Sequence, residues 1–229
     1  MFRFTTAAAL ALTCAAVPLS AQGAADPLTA LPPRSGVTAF VGVHVIPMDS
    51  ERVLADQTVV VQNGRIAAVG PAASTQVPAG ATRIDGRGRY LMPGLAEMHA
   101  HIPGANAAMA EDVLFLYVAA GATTIRGMQG HPAQLELRRR VEAGELVGPR
   151  MWLAAPPLSG GNTQDVATAE RRVREAKQQG FDLLKIHEGL SQEVYDAIAR
   201  TAMEVGLPWG GHVPFDVGVP GALRAREST

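Results

Sequence analysis

Cysteine is almost absent: Cys14 is the single thiol in 229 residues. It lies inside an N-terminal apolar segment, and Ala11-Leu12-Thr13 ahead of it is a poor match to a lipoprotein processing site. Once that segment is removed no thiol remains, which excludes disulfides and thiolate metal sites from the mature protein. An excess of one charge is absent too, with 20 Lys and Arg against 21 Asp and Glu. That balance leaves no footprint for a nucleic-acid partner and no acidic tail. Long apolar runs are also missing. The stretch from Ala7 to Val17 is closed by Pro18, Ser20 and Gln22, short of the ~20 residues a membrane span requires, so no span is expected. With Arg3 in front and small residues around Ala21, Gly23 and Ala25, residues 1–25 read instead as a secretory signal, and the protein as exported, periplasmic or extracellular.

What is present is an ordinary globular composition, 47% hydrophobic and 18% charged. The 24 glycines and 16 prolines are spread along the chain as punctuation between many short elements. A linker over residues 26–35, with Pro27, Pro32 and Pro33, leads into β-rich runs over 39–46, 57–61 and 65–69. Asn63-Gly64 joins the last two as a tight hairpin, because both central residues of a type I′ turn need positive φ. Residues 36–92 are therefore expected to form a small β domain of sandwich type. Gly86 and Gly88 make a GxG, but Leu91 stands where a dinucleotide fingerprint wants its third glycine, so no nucleotide site is expected.

From Pro93-Gly94 onward the pattern becomes strand, loop, helix, repeated, the signature of a parallel sheet or barrel with covering helices. Strands are expected over 95–101, 123–128, 151–155, 183–187 and 209–213, and helices over 107–120, 132–143, 163–179 and from the capping Ser191 to Val205. A (β/α)8 barrel takes about 250 residues, and the stretch 93–229 is little more than half of that. The expected fold is thus α/β: an incomplete TIM barrel of about five of its eight strands after the small β domain. The tail GALRAREST breaks off where a helix should be under way, which reads as a fragment or truncated product with an unpaired strand edge.

Side chains alternate along a strand, so Glu97, His99 and His101 should share one face, with Met98 and Ala100 on the other. Two imidazoles then converge at the end of the first barrel strand, where neutral imidazole is a ready metal ligand. The plain alternative is a pair of strand histidines satisfied by backbone carbonyls. The abrupt Pro-Gly entry into the strand favours the ligand reading.

The runs VVVQNGRIAAVGP and IDGRGRYLMPGLAEMHAHIP, with GATTIRGM and GPRMWLAA after them, resemble the amidohydrolase superfamily, in particular its imidazolonepropionase-like and Xaa-Pro or Xaa-Arg dipeptidase-like branch. The resemblance runs from about Val37 to the end. It implies metal ligands at His99 and His101, and two more at Lys185 of FDLLKIH and His212 of WGGHVP. Lys185 matches the lysine that such enzymes carbamylate, giving an anion that bridges two divalent metals, expected to be zinc. An ordinary lysine paired with Asp182 or Glu188, and a structural histidine at 212, are the alternatives. The family's further histidine on the sixth strand and catalytic aspartate on the eighth have no counterpart, so no catalytic residue is assigned within these residues. The chain departs from the family at Glu97 and Gly127, where many relatives have aspartate.

His131 and His187 are expected to lie behind the site or in solvent, and Arg138 to Arg140 on a solvated helix face. The activity implied is hydrolysis of a C–N bond in a small-molecule amide or dipeptide, linear or cyclic, by metal-activated water. A non-catalytic remnant, or a metal-binding protein on the same fold, is the competing expectation. Nothing in the sequence specifies an oligomeric state.

Overall fold

The structure is a computed structural model that describes residues 36–104 and 106–228. The expected signal over 1–25, Cys14 and the linker over 26–35 lie outside the described residues. Ten strands and five helices are present among those that are described. No helix among them is long and apolar enough to cross a membrane.

The first five strands form one sheet: β1 (Val37–Val45), β2 (Leu54–Gln62), β3 (Arg65–Pro71), β4 (Thr82–Asp85) and β5 (Tyr90–Leu91). Its order is β3-β2-β1-β4, with β5 also pairing β1. The turn between β2 and β3 is the expected one, with Asn63 at φ 52° and Gly64 at φ 75°. Val43, Val45 and Val59 pack together with Phe40, Leu54 and Leu91 to give this sheet its apolar layer.

Every strand after Met92 pairs in parallel. β6 (Leu95–Ala100), β7 (Ala122–Gly127) and β8 (Arg150–Leu153) form one sheet in that order, and β9 (Leu184–Ile186) pairs β10 (Trp209–Gly211). Single bridges from Ala154 to Leu183 and from Leu158 to Ile186 link the end of β8 to β9, so the five strands neighbour one another in chain order. Between them run α1 (Ala107–Ala119), α2 (Ala133–Glu142), α3 (Val166–Gln179) and α4 (Gln192–Val205), and α5 (Gly218–Ala225) follows β10. Parallel neighbours need a crossover of this kind, because a hairpin can join only antiparallel strands. The strands and inner helix faces share one core in which Leu114, Ile125, Leu153, Val173, Leu184 and Ile198 are fully buried.

Three expectations are corrected. Helix α3 starts at Val166, not Thr163: Asp165 accepts the Thr168 N–H at 2.8 Å and is the stronger cap, while the buried Thr163 stays in the loop and accepts from Arg172 at 2.7 Å. The helix expected to be still under way in the tail reaches its cap earlier: α5 spans Gly218–Ala225 and is capped by Arg226 in the left-handed region, φ 63°. The basic run is not simply solvated. Arg138 binds Asp182 at 2.7 Å, Arg140 binds Glu111 on α1, and only Arg139 spends its charge on exposed partners, Glu136 and Glu145.

The buried layer and the helix caps should separate in a stability measurement. Leu153→Ala empties a fully buried position and is expected to cost about 2–5 kcal/mol. Ser191→Ala removes the cap that accepts the Val194 N–H and should cost about 1 kcal/mol. Urea unfolding of both variants checks this, and equal losses would contradict the packing of β8.

Candidate metal centre

His99 sits on β6, and His101 lies one residue past its end. The ladder to β7 is irregular between them: Glu97 pairs Ile125 and Ala100 pairs Gly127, so β6 takes three steps where β7 takes two. A bulge of this kind re-aims side chains. It breaks the simple alternation that placed Glu97 beside the two histidines. The Glu97 carboxylate instead accepts the His99 N–H at 2.7 Å, and Arg126 on β7 donates to the Met98 carbonyl at 2.8 Å. The imidazoles still meet, with ring centres 5.4 Å apart and planes tilted by 46°.

Lys185 is the middle residue of β9 and pairs Gly210 on β10. Only 3% of it is exposed, and its Nζ has no hydrogen-bond partner. Neither carboxylate that might have paired it does so. Asp182 accepts from the Leu153 N–H and from Arg138, both at 2.7 Å, while Glu188 faces His212 Nδ1 at 3.8 Å. Burial lowers the Lys185 pKa, the positive charge of Arg126 adds to the effect, and Glu227 opposes it. Gly211 makes room for this arrangement: at its φ of 144°, a Cβ would fall 2.3 Å from the Ile186 carbonyl oxygen and 3.0 Å from Lys185 Cδ.

His212 follows β10, and its N–H extends the ladder to the Ile186 carbonyl at 3.1 Å. Its ring lies 4.3 Å from that of His187. Burial, then the charges of Lys185 and His187, lower its pKa against the pull of Glu188. The His99 pKa is lowered by burial and then by Lys185, His101, Arg126 and His212. Burial first and the Lys185 charge second thus lower both histidines, in the direction of the neutral imidazole, the form that binds metal.

The four expected residues thus fall in one neighbourhood, as the pair His99 and His101 on one side and Lys185 with His212 on the other. Among the described residues no three His, Cys, Asp or Glu side chains form a group that could hold a metal ion. Two neighbours exceed the sequence expectation. His187 stacks obliquely with His212, and His131 joins His101, Pro103, Gly104, Val113 and Gln129 around a cavity of about 390 Å³. Their positions just past β9 and β7 were the available signal, since loops at those strand ends share the site's side of the sheet. Glu227 had no such signal. It accepts from the buried Tyr195 hydroxyl at 2.7 Å, and its other oxygen is buried without a partner.

No protein-family model matches the chain. Over 67 residues it is 42% identical to imidazolonepropionase of Stenotrophomonas maltophilia (strain R551-3), covering 28% of this chain and 16% of the relative. Over 187 residues it is 30% identical to adenine deaminase of Chelativorans sp. (strain BNC1), covering 75% of this chain and 31% of the relative. Among solved structures, bottromycin amidohydrolase superposes with a TM-score of 0.67 at 25% identity, over 89% of this chain and 45% of that one. A Xaa-Pro dipeptidase with bound methionine in its active site gives 0.70 at 19% identity, over 83% of this chain and 60% of that one, a likeness of fold. The chain therefore spans less than a third of either curated relative, and about half of these solved structures.

Lys185→Met supplies a test of the buried amine. A lysine whose folded pKa lies below its ordinary 10.5 takes up a proton on unfolding, so its stability penalty is full below the folded pKa and fades as pH rises toward 10.5. In metal-free buffer without bicarbonate, Lys185→Met should match or exceed the wild type in urea unfolding at neutral pH, with its advantage shrinking in alkali. A methionine variant less stable at every pH would show that the amine is satisfied.

Proposed function

We propose, from the premise that this chain belongs to the amidohydrolase superfamily, that the complete protein hydrolyses a C–N bond of a small-molecule amide or dipeptide, linear or cyclic. The observation that carries the reading is the buried, unpartnered Lys185 amine between two sets of imidazoles. An amine orphaned in this way is costly unless another group completes it. Its lowered pKa frees the nitrogen lone pair, which can attack carbon dioxide. An N–C bond forms, one proton leaves, and the carbamate carries a single negative charge. That charge supplies the anionic oxygens that the described His, Asp and Glu side chains do not gather at one point.

In this reading His99, His101, His212 and Lys185 as its carbamate would hold divalent metal, with zinc the expected ion. Divalent metal use accompanies the superfamily. Such an ion, when bound, polarises a scissile carbonyl and brings the pKa of water toward neutrality. The surroundings of His99 and His212 lower their pKa toward the neutral imidazole, and burial keeps water from the Lys185 amine. Glu97, committed to the His99 N–H, fixes the backbone at the first ligand.

The surrounding architecture belongs to the proposal as well. The five parallel strands, each followed by a helix and neighbouring in chain order, make up about five of eight units of a TIM barrel over 93–229. The sheet of residues 36–92 contributes one layer of a sandwich-type domain, 26–35 links it to the N-terminus, and 1–25 directs export. A non-catalytic remnant, or a metal-binding protein on the same fold without turnover, is the second reading, since fold alone does not establish chemistry.

Zinc uptake with and without bicarbonate, counted by elemental analysis, is the first test. Bicarbonate should raise the stoichiometry of the wild type toward two ions per chain and should leave Lys185→Ala unchanged. If uptake in both proteins ignored bicarbonate, the carbamate assignment would be wrong. Uptake without hydrolysis of any dipeptide or cyclic amide by the complete protein would favour the second reading.

A further inference from the structure

Among the described residues Gln134 is the one fully buried amide side chain, set in the first turn of α2. A buried amide is expensive unless its donors and acceptor are used. Here they are used on two separate loops. Nε2 donates to the Ile102 carbonyl at 2.7 Å and to the Gln129 carbonyl at 3.1 Å, while Oε1 accepts the His131 N–H at 3.2 Å. The loop after β6 and the loop after β7 are thereby tied to the same helix end.

The consequence falls on His101. The carbonyl before it, Ala100 O, accepts the Met128 N–H at 2.8 Å, and the carbonyl after it, Ile102 O, accepts from Gln134. His101 is beyond the regular strand, yet its backbone is held on both sides. Across the gap, the ring of His131 lies against Gly104, where a Cβ would be 2.5 Å from His131 Cγ, and the His131 ring accepts the Ala133 N–H through Nδ1 at 3.2 Å. The cap residue Pro132 offers no side-chain acceptor, so beside the His131 ring it is Gln134 that anchors the helix start to both loops.

We infer that Gln134 is a positioning residue for His101, fixing the imidazole relative to His99 and so setting the affinity and geometry of the first metal. This rests on the proposed role of His101 as a ligand. Residues that orient a ligand without touching the ion characteristically change metal affinity by about 10–100-fold when replaced.

The test loads the whole chain with cobalt(II), whose visible absorption reports ligand geometry, in the wild type, Gln134→Leu, Gln134→Glu, Leu137→Ala and His101→Ala. Leu137 lies on the same helix, buried in the core without touching either loop through a hydrogen bond, so Leu137→Ala reports loss of stability alone. Gln134→Glu keeps an acceptor for the His131 N–H and loses both donors, which keeps the test readable if the leucine variant folds poorly. Both Gln134 variants should weaken cobalt at least tenfold and shift its spectrum, and amide hydrogen exchange should quicken over 101–104 and 129–131. Leu137→Ala should lower only the urea midpoint. Wild-type cobalt affinity and spectrum in the Gln134 variants, with binding lost in His101→Ala, would overturn the positioning role alone. Unchanged binding in His101→Ala would overturn the ligand assignment, and this inference with it.

Discussion

A lysine amine enclosed by the protein and given no hydrogen-bond partner is the constraint around which the rest of this structure is arranged. Lys185 cannot turn outward, because β9 is buried at all three of its residues and β10 lies alongside. Asp182, three residues ahead, is turned elsewhere, one of its oxygens accepting from both Arg138 and the Leu153 N–H. Gly210 and Gly211 bring the neighbouring strand close without adding side chains. A fold that merely needed stability would fill this position with an aliphatic residue. The amine is retained at a cost, which is the mark of a group with a chemical task.

The same neighbourhood bears on the histidines. Partial desolvation and positive groups placed close together both disfavour protonation. His99 on β6 and His212 just past β10, far apart in the chain, have their pKa lowered first by burial and then by the neighbouring basic groups. Secondary structure alone would deliver imidazoles to one side of a sheet. Burial and the neighbouring charges shift them toward the neutral form, so the geometry of the strands and the surroundings of the side chains act toward one end.

Much of the architecture was legible because it depends on local signals. The Asn63-Gly64 turn, the caps at Ser191 and Gly206, and the alternation of strand and helix after Pro93 each follow from a few neighbouring residues. The residues His99, His101, Lys185 and His212 could be singled out by pattern and resemblance, and their common neighbourhood follows from the parallel order of the strands. What escaped the sequence depends on contacts between distant segments. The bulge in β6 is set by its register against β7, so alternation misplaced Glu97. The choice of Asp165 over Thr163 as a cap turned on Arg172 claiming the threonine. Glu227 beside Tyr195 joins residues more than thirty positions apart, and no spacing rule anticipates it.

The outer helices are joined by another kind of bond. Glu111 on α1 meets Arg140 on α2, Arg138 on α2 reaches Asp182 ahead of β9, and α3 and α4 exchange two pairs, Arg174 with Glu204 and Arg200 with Glu170. The two pairs between α3 and α4 lie toward solvent, where mobile ions shield charges over a Debye length of about 8 Å at physiological ionic strength. The Lys185 amine is buried and shielded far less. Ionic strength is thus a dial that loosens the outer stitching while barely reaching the buried amine.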